Sequence, residues 1–171
     1  MQGFVKEAEV RQRMVKAAAA RQSKNTFLSH SSKDNVLLPG AIRILENHGA
    51  SVYVDVGDDR LPDPPSVQTA QVLRDTVQAM RKFVLLVSPN SRRSNWIPWE
   101  LGLADGHKSA PNVTLFPAVA TALETRWVDQ EYLGLYTRIV WGPHKAYEKN
   151  IWMVYDHHDN TGTELSEWLR R

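Results

Sequence analysis

The segment Ser94-Asn95-Trp96-Ile97-Pro98-Trp99-Glu100-Leu101 carries the residue types best suited to chemistry in this chain. Pro98 is tolerated only in the first turn of a helix, so a helix is expected to begin close to Ser94–Ile97 and to run to about His107. Ile97, Leu101 and Ala104 then form its core stripe. Trp96 and Glu100 stand four residues apart, one step around, at the edge facing a cleft. An indole and a carboxylate would thus sit side by side near a helix N-terminus, whose dipole favours the ionised Glu100 by about 0.3–1 kcal/mol. Spacing alone also permits a plainer reading, in which Glu100 is a solvated first-turn acid and Trp96 packs on a sheet.

Several other chemistries lack their residues. There is no cysteine, which excludes a disulfide framework, a thiolate zinc site and a thiol nucleophile. No G-x-x-x-x-G-K loop occurs, and no G-x-G-x-x-G follows the first strand, so the P-loop and dinucleotide-fold signatures fail. No G-x-S-x-G elbow marks a serine hydrolase. His157-His158-Asp159 has the composition of a metal site, but neighbouring side chains project apart, and a surface turn is expected there.

The elements that position Glu100 are legible as alternating short apolar runs and helical patterns. Strands are expected at Thr26–Ser29, Ser51–Val56, Lys82–Val87, Val113–Pro117 and Arg138–Trp141, with helices at Leu37–His48, Val67–Met80 and Glu164–Arg170. Pro39 suits a first helical turn and Gly49 a helix C-terminus. Phe83-Val84-Leu85-Leu86-Val87 reads as a central parallel strand buried on both faces. Gly57 to Pro65 holds three prolines and four charged residues and is expected to be a loop. This alternation predicts a doubly wound α/β domain, with a mostly parallel five-stranded sheet and helices on both faces. Ligands of such folds sit beyond the carboxyl ends of the strands, which selects the loops Ser29–Asp34, Asp55–Pro65 and Ser88–Asn95.

Four segments together resemble one family. Phe27-Leu28-Ser29-His30-Ser31-Ser32-Lys33-Asp34 looks like the first box of Toll/interleukin-1 receptor (TIR) domains. Val52-Tyr53-Val54-Asp55 and the loop after it resemble their second strand and BB loop, and Phe83 to Ser91 their third strand and its exit. Trp96-x-x-x-Glu100-Leu101 matches the W-x-x-x-E motif of enzymatically active, often bacterial, TIR domains. Order and spacing agree over roughly residues 25–145. The chain departs from several members in carrying Ser31 and Ser32 where they have arginines, and in a proline-rich, acidic BB loop without the usual glycine pair. Trp168 is a weak echo of the family's C-terminal aromatic box.

The resemblance implies cleavage of NAD between nicotinamide and ribose, with Glu100 as the catalytic carboxylate. It also implies that Trp96, Trp99, Ser29, His30, Ser31, Ser32, Asp55 and Ser88 contact the substrate. The expected products are nicotinamide and ADP-ribose or a cyclic isomer, acting in prokaryotic antiviral defence. NAD is then substrate, with no separate cofactor and no metal. The competing readings are a non-catalytic TIR–TIR scaffold and a nucleoside deoxyribosyltransferase-like enzyme using a carboxylate nucleophile.

Charge and length set the remaining expectations. The 171 residues suit one domain of ordinary size, residues 25–171, preceded by an arm. Residues 1–24 hold six bases against two acids and are expected to form a basic amphipathic helix over 3–23. The remaining residues hold 15 bases and 17 acids, so the net +2 of the chain belongs to the arm and gives no reason to expect nucleic-acid binding. No apolar run spans a membrane and no signal-peptide core begins the sequence, so a cytoplasmic protein is expected. Self-association and a defence partner protein are the expected contacts. Of the six tryptophans, Trp127, Trp141, Trp152 and Trp168 read as packing or interface residues.

Overall fold

The computed structural model of the chain describes residues 24–56, 58, 61, 65–118, 131–144 and 146–171. The predicted arm helix, most of the Gly57–Pro65 loop and Trp127 lie outside the described residues. The elements are β1 (Thr26–Ser29), α1 (Leu38–Asn47), β2 (Val52–Tyr53), α2 (Val67–Ala79), β3 (Lys82–Val87), α3 (Trp96–His107), β4 (Val113–Pro117), β5 (Thr137–His144), β6 (Lys149–Asp156), β7 (Thr161–Glu164) and α4 (Leu165–Arg170).

They build one sheet in the order β2-β1-β3-β4-β5-β6-β7. The strands β2, β1, β3, β4 and β5 are parallel to one another, whereas β6 and β7 run antiparallel. The sheet therefore has seven strands, not the five expected. The extra two are joined by turns with no intervening helix, and β7 is Thr-Gly-Thr-Glu, which offers no apolar residue to a pattern search. Glu148 and Asn160 take positive φ (51° and 52°) at those two turns. His157-His158-Asp159 falls in the second turn, as expected.

Both sheet faces are covered. On one, Phe27, Phe83, Leu85 and Leu115 pack against Leu73 and Val77 of α2 and Ile97, Leu101 and Ala104 of α3. On the other, Leu28, Val84, Leu86, Phe116 and Ile139 pack against Leu38 and Leu45 of α1 and Leu165, Trp168 and Leu169 of α4. Every residue of β1 and β3 is buried, which is what a continuous apolar run at the centre of a parallel sheet requires. α1 ends on Gly49, whose φ of +97° needs no Cβ, and its N–H bonds back to the Glu46 carbonyl at 3.0 Å. α2 opens on a reciprocal Ser66–Thr69 cap. No helix among the described residues is long and apolar enough to cross a membrane.

At the amino end of β3 a lysine lies inside the protein. Lys82 is 1% exposed, donates from Nζ to Asn112 Oδ1 at 2.6 Å and sits 4.4 Å over the Trp168 ring. Burial, aided by Arg81 and Arg171, pushes its amine down to about 8. Trp168 in turn donates from Nε1 to the Pro111 carbonyl at 2.7 Å, so the C-terminal helix is fixed to the sheet's lower edge. Trp168→Ala removes this packing, and is expected to lower the unfolding free energy by about 3–5 kcal/mol in urea titration.

Candidate active site

Among the described residues, Asp55 at the start of the second loop lies against the Ser29–Asp34 loop, which is tied to the Ser88–Asn95 loop, and α3 brings the carboxylate to them. The Ser94 hydroxyl accepts the N–H groups of Trp96 and Ile97, both at 3.3 Å, and fixes where α3 begins. The helix starts at Trp96, so Glu100 lies in its second turn and not its first. Leu101 and Ile97 point into the core beside it, and Glu100 itself is only 4% exposed.

The Glu100 carboxyl is held by the end of β1. Ser29 Oγ donates to Glu100 Oε2 at 2.5 Å, across 71 residues of sequence. Burial raises the Glu100 pKa from 4.5 to about 8; the Ser29 hydrogen bond opposes the rise, and the negative charge of Asp55 adds to it. The expected preference for an ionised Glu100 is therefore reversed. A dipole worth about 0.3–1 kcal/mol is outweighed by desolvation, and the group is mostly neutral near pH 7.

The other predicted residues divide. His30 follows Ser29, and its ring, 1% exposed, has Nδ1 3.7 Å from Asp55 Oδ1; Asp55 is 37% exposed. Ser29, His30, Asp55 and Glu100 thus form one group. Trp96 and Trp99 are half-buried, packed edge to face on one another at 5.6 Å and on the core. Ser32 is exposed, whereas Ser31 is buried and its Oγ faces the Lys33 N–H at 3.4 Å.

Ser88 is brought to the same sheet edge, but its hydroxyl is already engaged. It donates to Asp34 Oδ2 at 2.7 Å and accepts the Asn90 N–H at 3.0 Å. Asp34, 1% exposed, also accepts from Asn90 Nδ2 at 2.7 Å. Sequence reading missed Asp34, Asn90 and Ser91 as the residues that tie the β1 and β3 exits together. The one signal was an acid closing the polar tract Ser29–Asp34. Among the described residues no group of three His, Asp or Glu side chains is placed to hold a metal. A cavity of about 340 Å³ between Pro143, His144, Met153, Tyr155 and Gly162 shares no residue with this cluster.

These features define a doubly wound α/β domain with a buried carboxyl held at the carboxyl ends of its parallel strands. The family model for the TIR domain matches residues 26–149, and the chain belongs to the TIR domain family. A curated relative, "Probable 3' cyclic ADP-D-ribose synthase ThsB'" of Bacillus cereus (strain MSX-D12), is 36% identical over 130 residues, which are 74% of this chain and 66% of that protein. The chain thus spans just under two thirds of that relative's length. Among solved structures, the TIR domain of the Toll-related receptor TRR-2 from Hydra magnipapillata is 12% identical, with a TM-score of 0.46 over 63% of this chain and 81% of that chain. The TIR domains of the activated Roq1 resistosome are 19% identical, with a TM-score of 0.40 over 56% of this chain and 57% of that one.

A folded-state pKa raised from 4.5 to about 8 has a definite effect on stability. Below pH 4.5 both states keep the proton and Glu100 contributes nothing. Between 4.5 and 8 the unfolded chain releases it first, so stability falls as pH rises, by a total on the order of 5 kcal/mol. Glu100→Gln is expected to remove that slope and to unfold at higher temperature than wild type at pH 8, with little difference at pH 4. Parallel melting curves for the two proteins across this range would contradict the assignment.

Proposed function

We propose that this chain cleaves the bond between nicotinamide and ribose in NAD, and passes the ADP-ribosyl group to one of its own hydroxyls or to water. The observation that carries the reading is the Ser29–Glu100 hydrogen bond of 2.5 Å, which fixes a buried carboxyl at the ligand-binding edge of the sheet. The name of the Bacillus cereus relative, a cyclic ADP-ribose synthase, supports cyclisation as the outcome.

The chemistry follows from charge. Nicotinamide is bound in NAD as a pyridinium, so it departs as a neutral molecule with the bonding electron pair and needs no general acid. Positive charge then develops on the ribose, where a fixed carboxylate stabilises it. Glu100 is neutral in the free protein, and the incoming pyridinium is the opposite charge that draws its pKa down. Substrate binding thus generates the carboxylate the reaction uses. Trp96 and Trp99 offer ring surface for stacking, and the Ser29–Ser32 tract offers hydroxyl and backbone groups to ribose and phosphate. As the family resemblance implies, the product serves as a signal in prokaryotic antiviral defence, in the cytoplasm and in self-associated protein.

Purified protein incubated with NAD, at concentrations that drive self-association, should release nicotinamide, with the second product distinguished as linear or cyclic by mass spectrometry. Glu100→Ala should lower the rate by at least about 100-fold. Absence of nicotinamide from the wild type under these conditions overturns the reading.

The pH dependence is a separate check. kcat/KM should rise through about pH 8, the value of the free Glu100, and then level off. The midpoint for kcat should lie lower, because the bound pyridinium favours the ionised form. Coincident midpoints would remove the coupling between substrate charge and Glu100.

A further inference from the structure

Adjacent residues at the end of β1 hold two acids that come from different elements. Ser29 donates to Glu100 of α3, and His30 faces Asp55 beyond β2. The two acids are close enough for the Asp55 charge to raise Glu100, yet their surroundings differ. Glu100 is 4% exposed, whereas the Asp55 side chain is 37% exposed.

The His30 ring is oriented toward this task. Its Nδ1 lies 3.4 Å from the Leu28 carbonyl and 3.7 Å from Asp55 Oδ1. Both are acceptors, so Nδ1 carries the hydrogen. Nε2 is fully buried and has no hydrogen-bond partner. A buried polar atom left without a partner costs stability, so the ring is held through Nδ1, at 3.4 Å from the Leu28 carbonyl. Nδ1 bonds to that carbonyl and lies 3.7 Å from Asp55 Oδ1, beyond hydrogen-bond reach but close enough for the ring to pack beside the carboxylate.

The reaction has a second step, which needs a base. After nicotinamide leaves, the ribosyl cation is captured by an oxygen nucleophile, a hydroxyl of the ADP-ribosyl group or water. A C–O bond forms at the ribosyl carbon and the O–H bond breaks, so a proton must be accepted. We infer that Asp55 is the base that accepts this proton, and that His30 is the positioning residue that holds it there. Asp55 then passes the proton to bulk water through its exposed side. This rests on the NAD-cleaving reading and assigns the second carboxyl of the same cleft.

Recapture of nicotinamide by the same cation separates the two carboxyl roles. Nicotinamide attacks through a ring nitrogen and has no proton to lose, so the return to NAD needs no base. Isotopically labelled nicotinamide added to a running reaction therefore enters NAD by a route that uses Glu100 but not Asp55. The measurement is the ratio of label exchange to net product formation, taken in one sample and so independent of the fraction folded.

For Asp55→Asn, net product should fall by about 100-fold with exchange far less affected, so the ratio rises at least about tenfold. His30→Gln should raise the ratio in the same direction, and Asp55→Glu should restore part of it. Glu100→Gln should depress both processes together. An Asp55→Asn ratio that rises less than this overturns the assignment of Asp55, whatever happens to the overall rate. A wild type that neither releases nor exchanges nicotinamide overturns the NAD reading itself, which is a different result.

Discussion

The bond from Ser29 to Glu100 depends on nearly every other choice the chain makes. Glu100 reaches β1 only because α3 begins at Trp96, and α3 begins there because Pro98 can sit only in a first turn and Ser94 caps the first N–H groups. One residue further along, Leu101 anchors the helix in the core. Its neighbour is thereby carried under the sheet edge and out of water. Desolvation then decides the protonation state, because the single hydroxyl of Ser29 returns less than burial removes. A carboxyl in this position is destabilising for the fold at neutral pH, which is the usual condition of a group retained for reactivity.

The cradle around that carboxyl is rigid for a separate reason. Asp34 collects Ser88 and Asn90 from the exit of β3 while sitting on the exit of β1, and Ser91 donates back to the Leu86 carbonyl at 3.0 Å. The two loops that flank Ser29 are thus tied to each other by buried polar groups that are mutually satisfied. Ser29 gains a fixed position at the end of a fully buried strand, and the hydrogen bond it makes is held by that frame.

This division explains what the sequence could and could not reveal. Helices, central strands and the doubly wound layering follow from apolar periodicity, and Gly49 and Pro39 mark helix ends by conformations few other residues adopt. The placement of Glu100 at the strand-end cluster was readable from the W-x-x-x-E spacing, but its neutral state was not, since spacing fixes a residue's side of a helix and says nothing of how much solvent is left there. The tie that Asp34 makes was not legible, because its partners lie 54 and 56 residues away. The same limit hid β7, which has a polar sequence and is defined only by its pairing with β6. β6 itself carries the legible apolar run Ile151–Tyr155, which sequence reading missed as a strand.

Two buried ionisable groups near opposite ends of the sheet show how a fold separates stability from reactivity. Lys82, below β3, and Glu100, above β1, are both moved toward 8, from opposite directions, and burial is the larger cause for each. Their partners differ in kind. Lys82 has an amide oxygen and the face of an indole, two groups that suit an ammonium and that knit the C-terminal helix to the sheet. Glu100 has one hydroxyl and a like-charged neighbour. A cation supplied with acceptors at the amino edge is a staple, whereas an acid placed beside another acid at the carboxyl edge gains most when a positive charge arrives. In the proposed reaction, the pyridinium ring of NAD brings that charge.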